Sequence, residues 1–290
     1  MKLPPLAQIA KEAGDAIAAM QPDIAAANAR MKEEKIEPSA GLVYGPIHYK
    51  EDVSPCTDAD LKAHEIVSAG LIKYFPDTAI LSEEGTEAEQ AAALKANVRF
   101  ETDPLDNTTG YIKGRDGYSV NIGLMKDGVP TEGVIYFPGR KEIYYTDGGK
   151  AFMQKGEAAP KEIKVKGIPL REKLKVAVGF NEQHVEHLEG REMEMDKIPG
   201  QLRTIKVATG EYDMSGRSEG VGGYNSWDIA GPHAVLRAAG GELIVDETRK
   251  PLTYGNDTVK VPCHFAGGLD TMAALGLIDK EIARSDKPKG

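Results

Sequence analysis

Between residues 119 and 146 the chain reads as three strands in close succession, and few folds accommodate that arrangement. Residues 119–125, 131–137 and 142–146 are apolar or alternating runs, with turn signals at Asp127-Gly128 and Pro138-Gly139 between them. Strands joined this closely pair antiparallel, because a parallel pair needs a crossover of a dozen residues or more. Residues 150–154, 161–165 and 175–179 suggest further strands, so the sheet is large. Helical spacing dominates elsewhere, and the pattern as a whole predicts an α+β fold with a large antiparallel sheet.

Ahead of the meander, Leu6, Ile9, Ala10, Ala13, Ile17 and Met20 follow helical spacing over residues 4–29, and Pro22 predicts a stop or kink. Residues 31–41 read as a loop. Residues 42–50 form a short strand interrupted at Gly45-Pro46. Thr57 or Asp58 is the expected N-cap of a helix to about Phe75, with Leu61, Val67, Leu71 and Tyr74 inward. A strand at 78–81, a short exposed helix within 86–97 and a strand at 98–102 follow. Later, 203–208 reads as a strand and 210–225 as a glycine-rich loop. A helix capped by Ser226 or Asp228 runs to about Ala239, where Gly240-Gly241 stops it. A strand at 242–245, a last strand at 259–267 and a last helix at 270–284 complete the chain. His184 and His187 would share a helix face without a third ligand nearby, which favours a solvated helix over a metal site.

The strand at 98–102 delivers Asp103-Pro104-Leu105-Asp106-Asn107-Thr108-Thr109-Gly110. Pro104 fixes its own φ and pushes Asp103 towards extended geometry. Asn107 tolerates left-handed geometry. A turn of this kind can aim two carboxylates at one point and leave backbone N–H groups after Asp106 free. Carboxylates bind a hard cation and free N–H groups bind an anion, so metal beside phosphate is the chemistry to expect. A plain surface turn has the same sequence, and the stretch alone does not separate the two. Position does more. Asp60, Glu83, Asp103, Asp106 and Asp228 all fall at strand ends or helix starts. Capping explains any one of them; convergence on divalent ions explains the set.

Composition excludes several alternatives. Across 290 residues, 41% are hydrophobic and 28% charged, enough to bury a core of one large domain or two lobes. Two lobes are expected, residues 1–150 carrying most of the acids and residues 151–290 carrying Asp228. The formal charge of -9 makes a general nucleic-acid partner unfavourable, so a phosphorylated ligand would need a local cation. Cys56 and Cys263 lie too far apart to imply a zinc motif or a disulfide framework, and buried free thiols are expected. No apolar run is long enough to span a membrane. Lys2, Lys11, Glu12 and Asp15 interrupt the first apolar stretch, which argues against a signal peptide and for a cytoplasmic protein.

The ordered set Asp60, Ser82-Glu83-Glu84, Asp103-Pro104-Leu105-Asp106-Asn107-Thr108-Thr109 and Trp227-Asp228-Ile229-Ala230-Gly231 resembles the lithium-sensitive, magnesium-dependent phosphatases of the inositol monophosphatase superfamily. The likeness spans residues 50–255. It is nearest to bacterial 3'(2'),5'-bisphosphate nucleotidases of the CysQ type. Ser54-Pro55-Cys56-Thr57-Asp58-Ala59-Asp60 resembles their Ser-Pro-Val-Thr-x-Ala-Asp, and Leu81-Ser82-Glu83-Glu84 matches theirs. Tyr111-Ile112-Lys113 and Gly117-Tyr118-Ser119-Val120-Asn121-Ile122 also resemble segments of these enzymes. The resemblance implies a layered α/β/α/β/α sandwich and hydrolysis of the 3'-phosphate of adenosine 3',5'-bisphosphate, with inositol or sugar phosphates as the competing substrates. It implies two or three Mg2+ ions held by Glu83, Asp103, the Leu105 carbonyl, Asp106, Asp228 and Asp60. Asp60, Glu83 and Thr108 would activate water, and Asn107, Thr108, Thr109, Arg203 and Arg217 would face the substrate. The resemblance implies no nucleic-acid partner and admits a homodimer.

Four segments depart from the family pattern. Asn107 stands where a glycine is usual. Thr109-Gly110 stands where the nucleotidases usually carry Lys-Glu and the inositol monophosphatases Thr-Asn, so this position leans towards the latter. Pro199-Gly200-Gln201-Leu202-Arg203 stands for Gly-Ser-Ser-Leu-Lys, and Ser215-Gly216-Arg217 for Tyr-Pro-Arg. All four border the expected substrate, so substrate choice is less determined than the chemistry.

Overall fold

The computed structural model describes residues 3–168, 172–179, 188, 190–216 and 224–285. Its centre is a seven-stranded sheet of β4 (Ala79–Ser82), β5 (Val98–Asp106), β6 (Ser119–Lys126), β7 (Val129–Phe137), β8 (Glu142–Asp147), β9 (Lys150–Lys155) and β10 (Lys161–Ile163). The spatial order is β10-β9-β8-β7-β6-β5-β4. The expected meander from β6 to β8 is present. All neighbours are antiparallel except β4 and β5, which run parallel. The sheet draws on chain from both sides of residue 150.

Helices α1 (Pro5–Glu33) and α2 (Asp58–Tyr74) cover one face of this sheet. Between them in sequence lies a small sheet of β1 (Val43–Tyr44), β2 (Ile47–Tyr49) and β3 (Pro55–Thr57). Short helices α3 (Glu87–Leu94) and α4 (Thr108–Tyr111) flank β5. The opposite face carries α5 (Leu202–Ala208) and α6 (Ser226–Ala238). These in turn support a second sheet, of order β12-β11-β13-β15-β14. Its strands are β11 (Leu174–Val178), β12 (Met193–Lys197), β13 (Met214–Ser215), β14 (Gly241–Val245) and β15 (His264–Gly268). Helices α7 (Leu269–Ala274) and α8 (Lys280–Ser285) close its far side. The result is the expected α/β/α/β/α layering, with one apolar cluster under α1 and α2, one around α5 and α6 on both sides, and one beneath α7 and α8.

The helix α6 lies unusually close to the first sheet. A Cβ at Gly123 of β6 would come 2.6 Å from the Ala230 carbonyl carbon, and one at Gly133 of β7 would come 2.6 Å from the Gly231 oxygen. A Cβ at Gly231 itself would meet the Val134 oxygen at 2.6 Å. The helix backbone therefore rests directly on the strands, which fixes the height of its first turn above the sheet.

Several sequence expectations need correction. Pro22 does not stop the first helix; α1 runs through it, where the proline is exposed and the Ala18 carbonyl loses its helical donor. Ile17 before it and Ile24, Ala27 and Met31 after it are buried against the same core. In α2 the inward row is Ala59, Ala63, Val67 and Leu71, while Leu61 and Tyr74 are exposed at 47% and 42%. The helix presents a four-residue ridge of mostly small residues, which lets it pack closely on α1. Residues 203–208 form a helix, not a strand. The last helix is two, broken at Gly276, where φ is +71°. The cap of α6 is Asn225, one residue earlier than expected. Part of 181–197 is β12, and His184 and His187 lie outside the described residues. Cys56 and Cys263 are free thiols as expected, but Cys263 is only half-buried.

Candidate metal centre

The parallel pair β4 and β5 ends at one edge of the first sheet, and the acids gather there. Glu83 follows β4, its backbone N–H donating to the Thr102 carbonyl at 3.1 Å. Asp103 and Asp106 close β5. In a regular strand, residues three apart point to opposite faces. Here Asp103 pairs with Asn121 and Asp106 with Ser119, so three steps on β5 match two on β6. This bulge, placed where Pro104 has no N–H to give, turns both carboxylates to one side. Asp103 is further fixed by the Leu105 N–H, which donates to its Oδ1 at 3.0 Å.

Asn107 takes the left-handed conformation, with φ +66° and ψ +46°, at the cap of α4. Its carboxamide holds the turn at both ends, accepting from Gly110 N–H and donating to the Gly117 carbonyl, each at 3.2 Å. A Cβ at residue 110 would stand 2.5 Å from Asn107 Nδ2, so Gly110 is the complement of that side chain. The turn aims Thr108 back at α2, where its hydroxyl donates to Asp60 Oδ1 at 3.0 Å. The Leu105 carbonyl lies 3.1 Å from the same hydroxyl. Asp60 is the third residue of α2 and completes a capping box with Thr57, whose N–H and hydroxyl both donate to its Oδ2, at 2.7 and 2.6 Å.

Asp228 arrives from the other side of the sheet. It is the third residue of α6, and its Oδ2 accepts from Asn225 N–H at 2.8 Å. Donor oxygens of Glu83, Asp103 and Asp228 lie within 4.8 Å of one another. Asp60 and Asp103 are buried; Glu83, Asp106, Thr108 and Asp228 are half-buried, and Thr109 stands exposed at the rim. The structure thus brings together Asp60, Glu83, Asp103, Leu105, Asp106, Asn107, Thr108 and Asp228.

Crowding so many acids has an electrostatic signature. Burial, then the neighbouring carboxylates, pushes Asp103 well above the usual range. Burial likewise raises Asp106 to about 6, with Glu83 adding to it and Ser119 opposing. Burial and then Asp106 raise Asp228 to about 8. Burial raises Asp60 to about 7 against the Thr57 hydrogen bonds. Glu83 is raised by burial, which outweighs Lys50. Such a set gains from a divalent cation, and its donors are all oxygen, which suits a hard ion of the Mg2+ or Ca2+ kind.

Sequence reasoning missed four residues here. Lys50 donates to Glu84 Oε1 at 2.9 Å and to Glu83 Oε1 at 3.3 Å. Burial pulls its ammonium down, but Glu83 and Glu84 outweigh that and hold it above its usual range. Ser119 and Asn121, two apart on β6 and both buried, face Asp106 and Asp228; polar residues inside an otherwise apolar strand were the available signal. Tyr224 accepts from Arg203 Nη2 at 2.9 Å beside Asp106 and Asp228. Of the expected substrate residues, Arg203 therefore lines a small cavity next to the acids, with Gln201, Thr204, Tyr224 and His264. Arg217 lies outside the described residues. Cys56 stands behind Asp60, its thiol donating to Glu84 Oε2 at 3.5 Å and raised by burial and then by Asp60.

A model of the inositol monophosphatase family matches residues 6–273. The 3'(2'),5'-bisphosphate nucleotidase CysQ of Salmonella typhimurium is 33% identical over 217 residues, covering 72% of this chain and 84% of that protein. Its counterpart from Escherichia coli K12 is 35% identical over 214 residues, covering 71% and 81%. Among solved structures, CysQ from Bacteroides thetaiotaomicron superposes with a TM-score of 0.67 at 22% identity, covering 91% of this chain and 96% of that one. The suppressor protein SuhB of Bartonella henselae gives 0.65, also at 22% identity, over 96% and 98%.

Proposed function

The chain belongs to the inositol monophosphatase family, and from that premise we propose that it is a Mg2+-dependent phosphatase that removes the 3'-phosphate of adenosine 3',5'-bisphosphate. The single observation that carries the chemistry is the convergence of Glu83 and Asp103, from the ends of two strands, with Asp228, from the helix packed over them, to donor separations within 4.8 Å. The nucleotide substrate is carried over from relatives of 33–35% identity that bear that name.

Glu83, Asp103, the Leu105 carbonyl, Asp106 and Asp228 would hold two ions, and Asp60 a third, weaker one. When bound, Mg2+ supplies Lewis acidity, withdrawing charge from the phosphoryl oxygens and from the leaving oxygen and making water easier to deprotonate. The protein's own part is proton handling and alignment. Thr108 donates its hydroxyl proton to Asp60, which leaves the hydroxyl oxygen facing outward as an acceptor for a proton of the attacking water. Asp60, acting through the Thr108 hydroxyl, or Glu83 directly, would take that proton. Water attacks phosphorus in line as the P–O bond to the 3'-oxygen breaks, and that oxygen leaves to be protonated. Backbone N–H groups of Asn107 and Thr108, with Thr109, border the phosphate. Arg203, beside Tyr224, would face the rest of the substrate. Residues 1–150 would supply most of the acids and residues 151–290 would supply Asp228. A nucleotide substrate of this kind fits a cytoplasmic enzyme.

One observation favours inositol or a sugar monophosphate instead. At residue 110 there is no side chain, and the Asn107 carboxamide occupies the space one would need, so this wall offers no fixed charge to a second phosphate. The test is side-by-side phosphate release from adenosine 3',5'-bisphosphate and inositol 1-phosphate in Mg2+, with and without millimolar lithium. A higher kcat/KM for the bisphosphate, suppressed by lithium, is expected. Preference for inositol 1-phosphate transfers the assignment to the second reading, and absence of hydrolysis with either sinks both.

A further inference from the structure

Asp106, at the end of β5, and Asp228, on the first turn of the helix packed over the sheet, are joined by a side chain that belongs to neither. Asn121 is fully buried in the middle of β6. Its Nδ2 donates to the backbone carbonyl of Asp228 at 3.1 Å. Its Oδ1 accepts from the Ser119 hydroxyl at 3.1 Å, and that hydroxyl also lies 3.2 Å from Asp106 Oδ2.

The Asp228 carbonyl needs this partner for a reason written in α6. In a helix each carbonyl accepts from the N–H four residues on. Four residues after Asp228 comes Pro232, inside the helix, with no N–H to offer. A buried carbonyl without a donor costs about 1–3 kcal/mol, so a donor from elsewhere is strongly favoured. The glycine seam brings β6 close enough for Asn121 to be that donor.

We propose that Asn121 is a positioning residue: it replaces the hydrogen bond that Pro232 withholds and thereby sets Asp228 against Asp106 across the metal centre. This rests on the assignment of both aspartates as metal ligands. Asn121 touches neither substrate nor reacting atoms. Groups behind metal ligands commonly govern affinity by about 10–100-fold when altered.

The experiment uses the full chain, Mn2+ as the probe, electron paramagnetic resonance titration for metal affinity and thermal unfolding for stability. Asn121→Leu keeps the volume and removes the hydrogen bonds to the Asp228 carbonyl, to Ser119 and to the Asp106 carboxylate; Mn2+ affinity should fall about tenfold or more. Adding Pro232→Ala restores an N–H to the Asp228 carbonyl, and the double variant should recover most of the lost affinity. A purely structural asparagine would lower the melting temperature and leave the affinity of the folded protein unchanged. Wild-type affinity in Asn121→Leu overturns the proposal. So does a double variant that binds no better than Asn121→Leu. If Asn121→Leu does not fold, Mn2+ affinity is read in Asn121→Ser, which keeps no donor long enough to reach the Asp228 carbonyl: a fall reversed by adding Pro232→Ala supports the proposal, and unchanged affinity overturns it. Asp106→Asn and Asp228→Asn serve as references: if they too bind Mn2+ normally, the metal assignment itself falls, whereas if they lose it and Asn121→Leu does not, only the role of Asn121 falls.

Discussion

Asp106 is worth less as a carboxylate than as a carboxylate turned by a bulge. Its separation of three from Asp103 would place the pair on opposite faces of a regular strand, and the extra step at Pro104-Leu105 puts them on one. Both acids were recognisable from the residue pattern. Their shared direction rested on the proline and on Asn107, whose left-handed backbone is the one the pattern anticipates. The partner of Asn107 was not legible. Gly110 reads as an arbitrary departure until the carboxamide is seen filling the place of its Cβ. At this scale the expectation is that Asp106→Asn lowers kcat by about a thousandfold while the protein stays folded, since a metal-holding charge is worth several kcal/mol in the transition state. Circular dichroism and a phosphate-release assay at saturating Mg2+ decide it; near-normal turnover would sink the assignment.

At the scale of elements, periodicity and turn signals locate the meander strands and α2, and fail for α5. The strands β6, β7 and β8 and the helix α2 were found within a residue or two. Residues 203–208 were misread because α5 lies between the two sheets and is buried nearly all round, Leu202, Arg203, Thr204, Ile205, Val207 and Ala208 alike. A helix buried on every side has no amphipathic period to detect, and its β-branched residues then imitate a strand. The inward row of α2 was misassigned because small residues, Ala59 and Ala63, carry it, and the larger Leu61 drew attention instead. The glycine seam under α6 makes a prediction. Gly231→Ala places a methyl group against the Val134 and Ile122 carbonyl oxygens at 2.6 and 2.9 Å. The helix must lift, at a cost of about 1–3 kcal/mol in stability. Asp228 rides on its first turn, so Mn2+ affinity should weaken with the melting temperature. An unaltered affinity in the folded variant would show that the seam serves packing alone.

For the molecule as a whole, the acids at the centre of the fold couple stability to protons and to metal. Asp106 is raised to about 6, Asp60 to about 7 and Asp228 to about 8, in each case by burial first. Carboxylates whose pKa rises on folding bind more protons when folded than when unfolded. Their contribution is complete below the unfolded value of about 3.9 and is lost as pH climbs through the folded values. The protein in chelator should therefore melt at falling temperature as pH rises from about 5 to about 8.5, the window those values define. Divalent metal needs the same groups deprotonated, so the rise in melting temperature on adding Mg2+ should grow over that window. A metal-induced shift independent of pH would mean that these carboxylates are not the site.

The chain by itself determined which residues could carry charge to a metal, where most strands and helices begin, and the class of chemistry those acids imply. These depend on short-range information: turn residues, caps, and periodicity along one face. The tertiary structure alone decided that Asp103 and Asp106 share a side, that Glu83, Asp103 and Asp228 meet, and that Lys50, Ser119 and Asn121 stand among them. Contacts between residues more than a hundred positions apart, such as Asn121 with Asp228, leave no periodic trace in sequence. They exist because a sheet edge, a bulge and a glycine-lined helix seat bring the separate segments to one point.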